Sequence, residues 1–149
     1  MAIRNIVKYG DPVLKKISRT VINFDERLAQ TLDDMKDTMY KADGVGLAAP
    51  QIGVLRRYCI IDIGEGLIEL VNPVIIEQSG EQIESEGCLS LPGDYRETKR
   101  PMKVKVRAQN RNGETFTVEG EGLLARALCH EIDHLDGILF IDRLAGDAK

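Results

Sequence analysis

The chain has 149 residues, which is long enough to bury one substantial core and short enough to hold it to a single domain, 1–149. Hydrophobic residues at 43% and charged residues at 30% are ordinary proportions for a globular protein, and no stretch approaches the roughly twenty apolar residues of a membrane span. A formal net charge of −4 leaves no broad basic surface, so direct nucleic-acid binding is not expected.

The N-terminal MAIRNIVKYG has no long apolar run of the kind a secretion signal carries, which places the protein in the cytoplasm. Three cysteines, Cys59, Cys88 and Cys129, are an odd number for a disulfide framework and point instead to free thiols. Asp11 and Pro12 read as the N-cap and first position of a short helix through Ile17. From Asp25 to about Lys41, Leu28, Leu32, Met35 and Met39 recur at helical spacing, while Asp33, Asp34, Lys36 and Asp37 fall mostly elsewhere. That apolar stripe is core. The helix gives out at Asp43 and Gly44, where GVGLAAPQIG begins. Its glycines, alanines and proline make neither a strong helix nor a strong strand, yet it carries no charge, so it reads as a close-fitting loop.

Strands follow. Tyr58 to Ile63 is rich in β-branched and aromatic residues, and Leu67 to Ile76 is a second such run broken by Asn72 and Pro73. Lys103 to Ala108 and Thr115 to Val118 flank Asn112-Gly113, a hairpin signal. Between these groups lies EGCLSLPG, Glu86 to Gly93, whose composition sets Cys88 on an irregular segment and not in mid-strand. Cys59, inside a predicted strand, reads as core.

The last helix begins near Gly120 to Gly122 and runs to Gly137, which suits a left-handed C-terminal cap. Leu123, Leu124, Ala127, Leu128 and Leu135 share much of its inward side with two histidines. Those are the only histidines in the chain and stand in HEIDH, residues 130–134. Residues four apart on a helix lie about one turn up the same face, so His130 and His134 can reach one cation with Glu131 beside it. Two imidazoles holding a metal and a glutamate handling the proton of a water is the pattern of a metallohydrolase. A catalytic site wants a third protein ligand. No acidic residue lies at the downstream spacing of thermolysin-like enzymes, and the metzincin position falls on Phe140. The third ligand should come from upstream, where a thiolate is the strongest candidate. Cys129 points about 120° away from the line between the two imidazoles and reads as packing.

GVGLAAPQ, EGCLS and HEIDH, in that order, resemble the three signature motifs of the peptide deformylase family, and the likeness runs from KYGDPVL to HLDGILFIDRL. The resemblance implies an α+β fold with antiparallel β strands packed around a central metal-binding helix. It implies Cys88, His130 and His134 as metal ligands with water as the fourth, and removal of the formyl group from N-formylmethionyl nascent peptides, releasing formate. Glu131 would be the general base and then the acid; the Gln51 amide and the backbone N–H of Leu89 would meet the oxyanion. Gly44, Val45 and Gly46 match the family's peptide-pairing edge. Val45, Leu123 and Ala127 match the lining of its methionine pocket, Arg100 a position near the ligand cysteine, and Tyr95 and Arg96 a place beyond the first substrate residue. One Cys and two His suit Fe²⁺, Zn²⁺, Ni²⁺ or Co²⁺; the resemblance points to Fe²⁺, with Zn²⁺ a common and less active occupant, in a bacterial cytoplasm.

The chain departs from the family at Cys129, where many members have Gln. It also ends soon after Leu144, without the C-terminal helix by which some bacterial relatives dock on the ribosome, which leaves at most a transient ribosome contact. Two other readings share these residues: a metallopeptidase acting on internal amides, and a structural metal site closed by a fourth protein ligand.

Overall fold

A computed structural model describes residues 2–146. The Asp11 side chain accepts from Val13 N at 3.0 Å and starts the first helix, but this is a 3₁₀ turn over Pro12–Lys15 that stops before Ile17. Beyond Lys16 the backbone is extended, and Ser18 N donates to Leu135 O at 2.8 Å, which ties the segment to the end of the last helix. A further helical turn would forfeit that bond.

Helix α1 (Glu26–Lys41) is capped as the sequence indicates, with Asp25 accepting from Leu28 N. Leu28, Leu32, Met35 and Met39 are buried. So is Asp34, against expectation, because it accepts from Ala2 N, Arg4 Nε and Gln30 Nε2 and so fastens the N-terminal segment to the helix.

Among the described residues seven strands follow one another: β1 (Gly46–Ala48), β2 (Tyr58–Ile61), β3 (Ile68–Ser79), β4 (Gln82–Cys88), β5 (Leu91–Arg100), β6 (Lys103–Gln109) and β7 (Thr115–Glu121). Five form an antiparallel sheet in the order β1-β2-β3-β6-β7, and β4 and β5 form a separate hairpin. Helix α2 (Leu123–Leu135) packs on one face of the larger sheet and α1 on the other. Side-chain alternation distributes the core accordingly. Cys59 and Ile61 face α2, while Tyr58 and Ile60 face α1, so a strand buried on both sides reads as an unbroken apolar run. On β6 only Val104, Val106 and Ala108 enter the core, and the alternating basic residues stay outside.

Three segments differ from the sequence-based expectation. Gly46–Ala48 is a strand and not a loop, paired with β2 through Gly46↔Ile61 and Ala48↔Cys59, and Ala49–Ile52 is a 3₁₀ turn. Weak intrinsic propensity is overridden by a neighbouring ladder and by burial on both faces. Strand β3 runs through Asn72-Pro73 by means of a register shift between Val71 and Val74, with Asn72 at φ 52°. The Asn72 side chain bonds Val21 N and O and Gln109, which supplies bonds the ladder lacks there. Finally, the stretch around Cys88 is irregular as expected, with a register shift between Glu86 and Cys88, but it is also the end of a hairpin: Cys88 pairs with Leu91, and the turn is Leu89-Ser90. Its buried strand positions are Gln82, Glu86, Leu91, Thr98 and Arg100, of which only Leu91 is apolar, so the strands carry no apolar alternation for a sequence reading to detect.

Asn112-Gly113 lies in the β6–β7 connection as expected. The Asn110 side chain accepts from Asn112 N and Glu114 N to shape it. Gly137 follows α2 at φ 76°, where an added Cβ would stand 2.6 Å from Lys15 O. Among the described residues no helix is long and apolar enough to cross a membrane.

Candidate metal centre

Helix α2 presents His130 and His134 on one face with ring centroids 4.9 Å apart, and the end of β4 brings Cys88 to them. The Cys88 Sγ lies 3.2 Å from His134 Nε2, and one donor atom from each of the three residues falls within 4.8 Å of the others. Donors around a tetrahedral ion with metal–ligand bonds of about 2.0–2.3 Å stand roughly 3.3–3.8 Å apart, so a small divalent cation fits this cluster. Two further features favour it. Burial, then the charge of His130, holds His134 well below the usual imidazole range, so its ring is neutral and keeps a lone pair. Burial alone would also lower His130, but the Glu131 charge and the hydrogen bonds with Cys88 and Glu86 outweigh it and hold the ring up at about 10. The surroundings thus draw positive charge to this point, whether a proton on His130 or a cation among the three donors.

Glu131 is buried, and one of its oxygens lies 3.9 Å from His130 Nε2 while the other, Oε1, has no hydrogen-bond partner. Burial pushes its carboxyl up to about 7. A carboxyl that titrates near neutral pH beside a cation site, with an unused acceptor, is equipped to take and return a proton.

Behind the histidines lies a buried ionic network. Glu86 accepts from His130 Nδ1, from Arg100 Nη2 at 2.6 Å and from Arg126 Nη1 at 2.6 Å. Arg100 reaches on to Asp133, which also accepts from Arg143. Burial would raise the Glu86 carboxyl, but hydrogen bonds from His130 and Arg100 hold it far below the usual carboxylate range. A carboxylate on the far nitrogen of a histidine fixes its tautomer and turns Nε2 toward the cation. The sequence reading placed Arg100 near the cysteine but assigned nothing to Glu86, Arg126 or Asp133. A signal did exist: Arg126 precedes His130 by one helical turn, and an arginine on a buried face demands a carboxylate.

Gln51 is buried beneath Cys88. Its Oε1 accepts from Ala48 N at 2.9 Å, and its Nε2 donates to Ser90 Oγ at 3.1 Å and to Cys88 Sγ at 3.5 Å. An amide tied at its oxygen has its nitrogen aimed, here toward the cysteine. A cavity of about 430 Å³ opens over the cluster. Gly44, Val45, Gly46, Gln51, Leu89, Leu123 and Ala127 line it together with Cys88, His130 and Glu131, while His134 lies beneath. Leu123 is 54% exposed at the rim and not part of the helix's inward side, because α2 begins there, beyond the sheet. Tyr95 also stands at the rim, whereas Arg96 is outside it and pairs with Asp94. Cys59 and Cys129 are buried away from the cluster, and burial pushes the Cys129 thiol up to about 11.

An antiparallel sheet wrapped about a helix that carries two histidines and a glutamate, with a cysteine brought in from a hairpin, is the construction of a metal-dependent hydrolase. Its family is settled by comparison. The family model described as polypeptide deformylase matches residues 3–149, and the chain belongs to that family. It is 61% identical over 144 residues to a peptide deformylase of Caldicellulosiruptor bescii, covering 97% of this chain and 87% of the relative. It is 62% identical to a peptide deformylase of Acetivibrio thermocellus, covering 97% and 85%. Its structure resembles the crystal structure of peptide deformylase from Thermotoga maritima with a TM-score of 0.95, 44% identity and coverage of 97% and 99%. Enzymes of this family remove the N-terminal formyl group from nascent peptides.

Proposed function

We propose that Cys88, His130 and His134 hold the metal, that Glu131 carries the proton, and that Gln51 and Leu89 supply the oxyanion donors in hydrolysis of formyl-methionyl peptides. The observation that carries this reading is the position of Glu131, wedged between His130 Nε2 and the glycine-lined edge of β1. Cys88, His130 and His134 would hold a divalent ion, which would supply Lewis acidity and lower the pKa of a water toward neutrality. Glu131 accepts the proton of that water as its oxygen attacks the formyl carbon. The Gln51 Nε2–H and the Leu89 N–H donate to the oxyanion of the tetrahedral intermediate. Glu131 then gives its proton to the leaving amine, and formate and a free amino terminus depart.

Gly44, Val45 and Gly46 offer backbone to an extended peptide, and Val45, Leu123 and Ala127 offer the apolar wall that an unbranched thioether requires. Fe²⁺ is the proposed working ion, since the nitrogen and sulfur donor set suits it as well as Zn²⁺, Ni²⁺ or Co²⁺, and the family resemblance favours iron. A cytoplasmic place and a transient contact with the ribosome belong to the same reading, because nascent chains are its substrate. Formate release from formyl-Met-Ala-Ser by protein prepared without oxygen, together with metal analysis, tests it. Cleavage of internal amides in unformylated peptides, with no formate from the formylated one, would assign a peptidase instead.

A further inference from the structure

A second and larger cavity, of about 890 Å³, lies between the start of α1 and the segments around Arg19 and Arg56, and it shares no lining residue with the cavity over the metal centre. Four arginines face it, Arg4, Arg19, Arg27 and Arg56, against one carboxylate, Asp25. Arg4 is paired with Asp34, and the Asp25 carboxylate is engaged by Leu28 N as the cap of α1. Among the described residues Arg19, Arg27 and Arg56 have no ion-pair partner, in a chain whose net charge is −4.

All three are exposed at the edge of the cavity, and each has a like charge or the positive end of a helix dipole beside it. Arg19 and Arg56 are direct partners in a β-bridge, held in register by Arg19 N donating to Leu55 O at 3.1 Å and Arg57 N donating to Arg19 O at 2.8 Å. Like charges on partners of this isolated parallel bridge repel, though weakly because both side chains are exposed to solvent. Arg27 occupies the first turn of α1, at the end of a helix dipole that favours negative charge. A bound dianion would relieve both conflicts at once, and paired guanidinium forks match the oxygens of a phosphate. The remaining wall is mixed, with Val21, Leu28, Val54 and Tyr58 offering apolar and aromatic surface beside the polar Thr20, Asn23 and Thr31, and the volume is that of a small-molecule site. A polyanion needs an extended basic stripe, which this acidic chain lacks.

We infer that this cavity is a second ligand site, which takes a phosphate monoester on a small apolar or aromatic body. The test is calorimetric titration of the metal-loaded enzyme with phenyl phosphate at constant ionic strength, with inorganic phosphate and phenol as separate arms. Phenyl phosphate should bind saturably and more tightly than either arm. The R19Q/R56Q double variant should weaken it by roughly tenfold or more, with formate release unchanged. The R19K/R56K variant keeps the charge but loses the fork, and should fall between. No saturable binding overturns the inference, as does an unchanged affinity in R19Q/R56Q, which would place the phosphate elsewhere, for instance at the metal. Inorganic phosphate binding as tightly as phenyl phosphate overturns the ligand class. A single-stranded oligoribonucleotide that displaces phenyl phosphate and binds more tightly would make the face an RNA site.

Discussion

The carboxylate of Glu131 lies directly against the α-carbon of Gly46: a β-carbon at that position would collide with a carboxylate oxygen and stand 2.9 Å from the carboxylate carbon. Glycine at this strand position therefore makes room for the proton carrier as well as for a peptide backbone. Gly46→Ala should push Glu131 out of place, costing about 1–3 kcal/mol of stability by overpacking and about 10²-fold in kcat, with metal content unchanged. Normal kcat in a metal-loaded Gly46→Ala enzyme would show that Glu131 tolerates displacement and that its placement is not what governs turnover.

Glu131→Gln should bind metal and peptide yet lose nearly all turnover, because an amide cannot accept the proton. The measurement is single-turnover formate release alongside metal analysis. Retained activity with full metal would assign the base elsewhere.

Gln51→Leu removes the amide whose nitrogen is aimed toward Cys88. Loss of one oxyanion donor predicts a fall in kcat of about 10²-fold or more with metal retained. A change confined to KM would make Gln51 a ground-state binding residue.

Glu86→Gln leaves Arg100 and Arg126 without their shared carboxylate and His130 without its acceptor. Metal affinity should fall by about 10- to 100-fold, and breaking the buried network should cost about 3–5 kcal/mol. The pH dependence has a definite sign. The Glu86 carboxyl is held below its ordinary value of 4.5 in the fold, so its stabilisation is fully present above about pH 4.5 and is lost as the pH falls below it. Metal-free wild-type protein should therefore lose stability on acidification more steeply than Glu86→Gln. Parallel denaturant midpoints from pH 7 to pH 3 would contradict this.

Peroxide should oxidise Cys88 before Cys59 or Cys129. Cys88 is half-buried at the open cavity, whereas burial excludes reagent from the other two and pushes their thiols up. Loss of activity should track loss of metal. Mass spectrometry finding Cys59 or Cys129 modified first, with Cys88 intact and metal retained, would mean that the third ligand is misplaced.

The sequence by itself located the two α-helices, four of the strands and the candidate donor residues. These rest on short-range regularities: a 3.6-residue stripe in α1, alternation in β6, a pentad that puts two imidazoles on one face, and capping by Asp11 and Asp25. Motif resemblance then singled out Cys88 from three cysteines, a choice that spacing alone left open.

Only the tertiary structure decided the rest. Gly46–Ala48 has no strand propensity of its own and becomes one because β2 offers a ladder and two helices cover its faces. The β4–β5 hairpin is invisible to hydrophobic periodicity because the side it buries is polar apart from Leu91, and most of what it buries is the Glu86 network that meets His130. Glu86, Arg100 and Arg126 come from different elements, and their charges are compatible with burial only once all of them meet. Interactions within a few residues are written in order along the chain. Those that compensate buried charge exist only between distant segments, so they can be read only after the chain has folded.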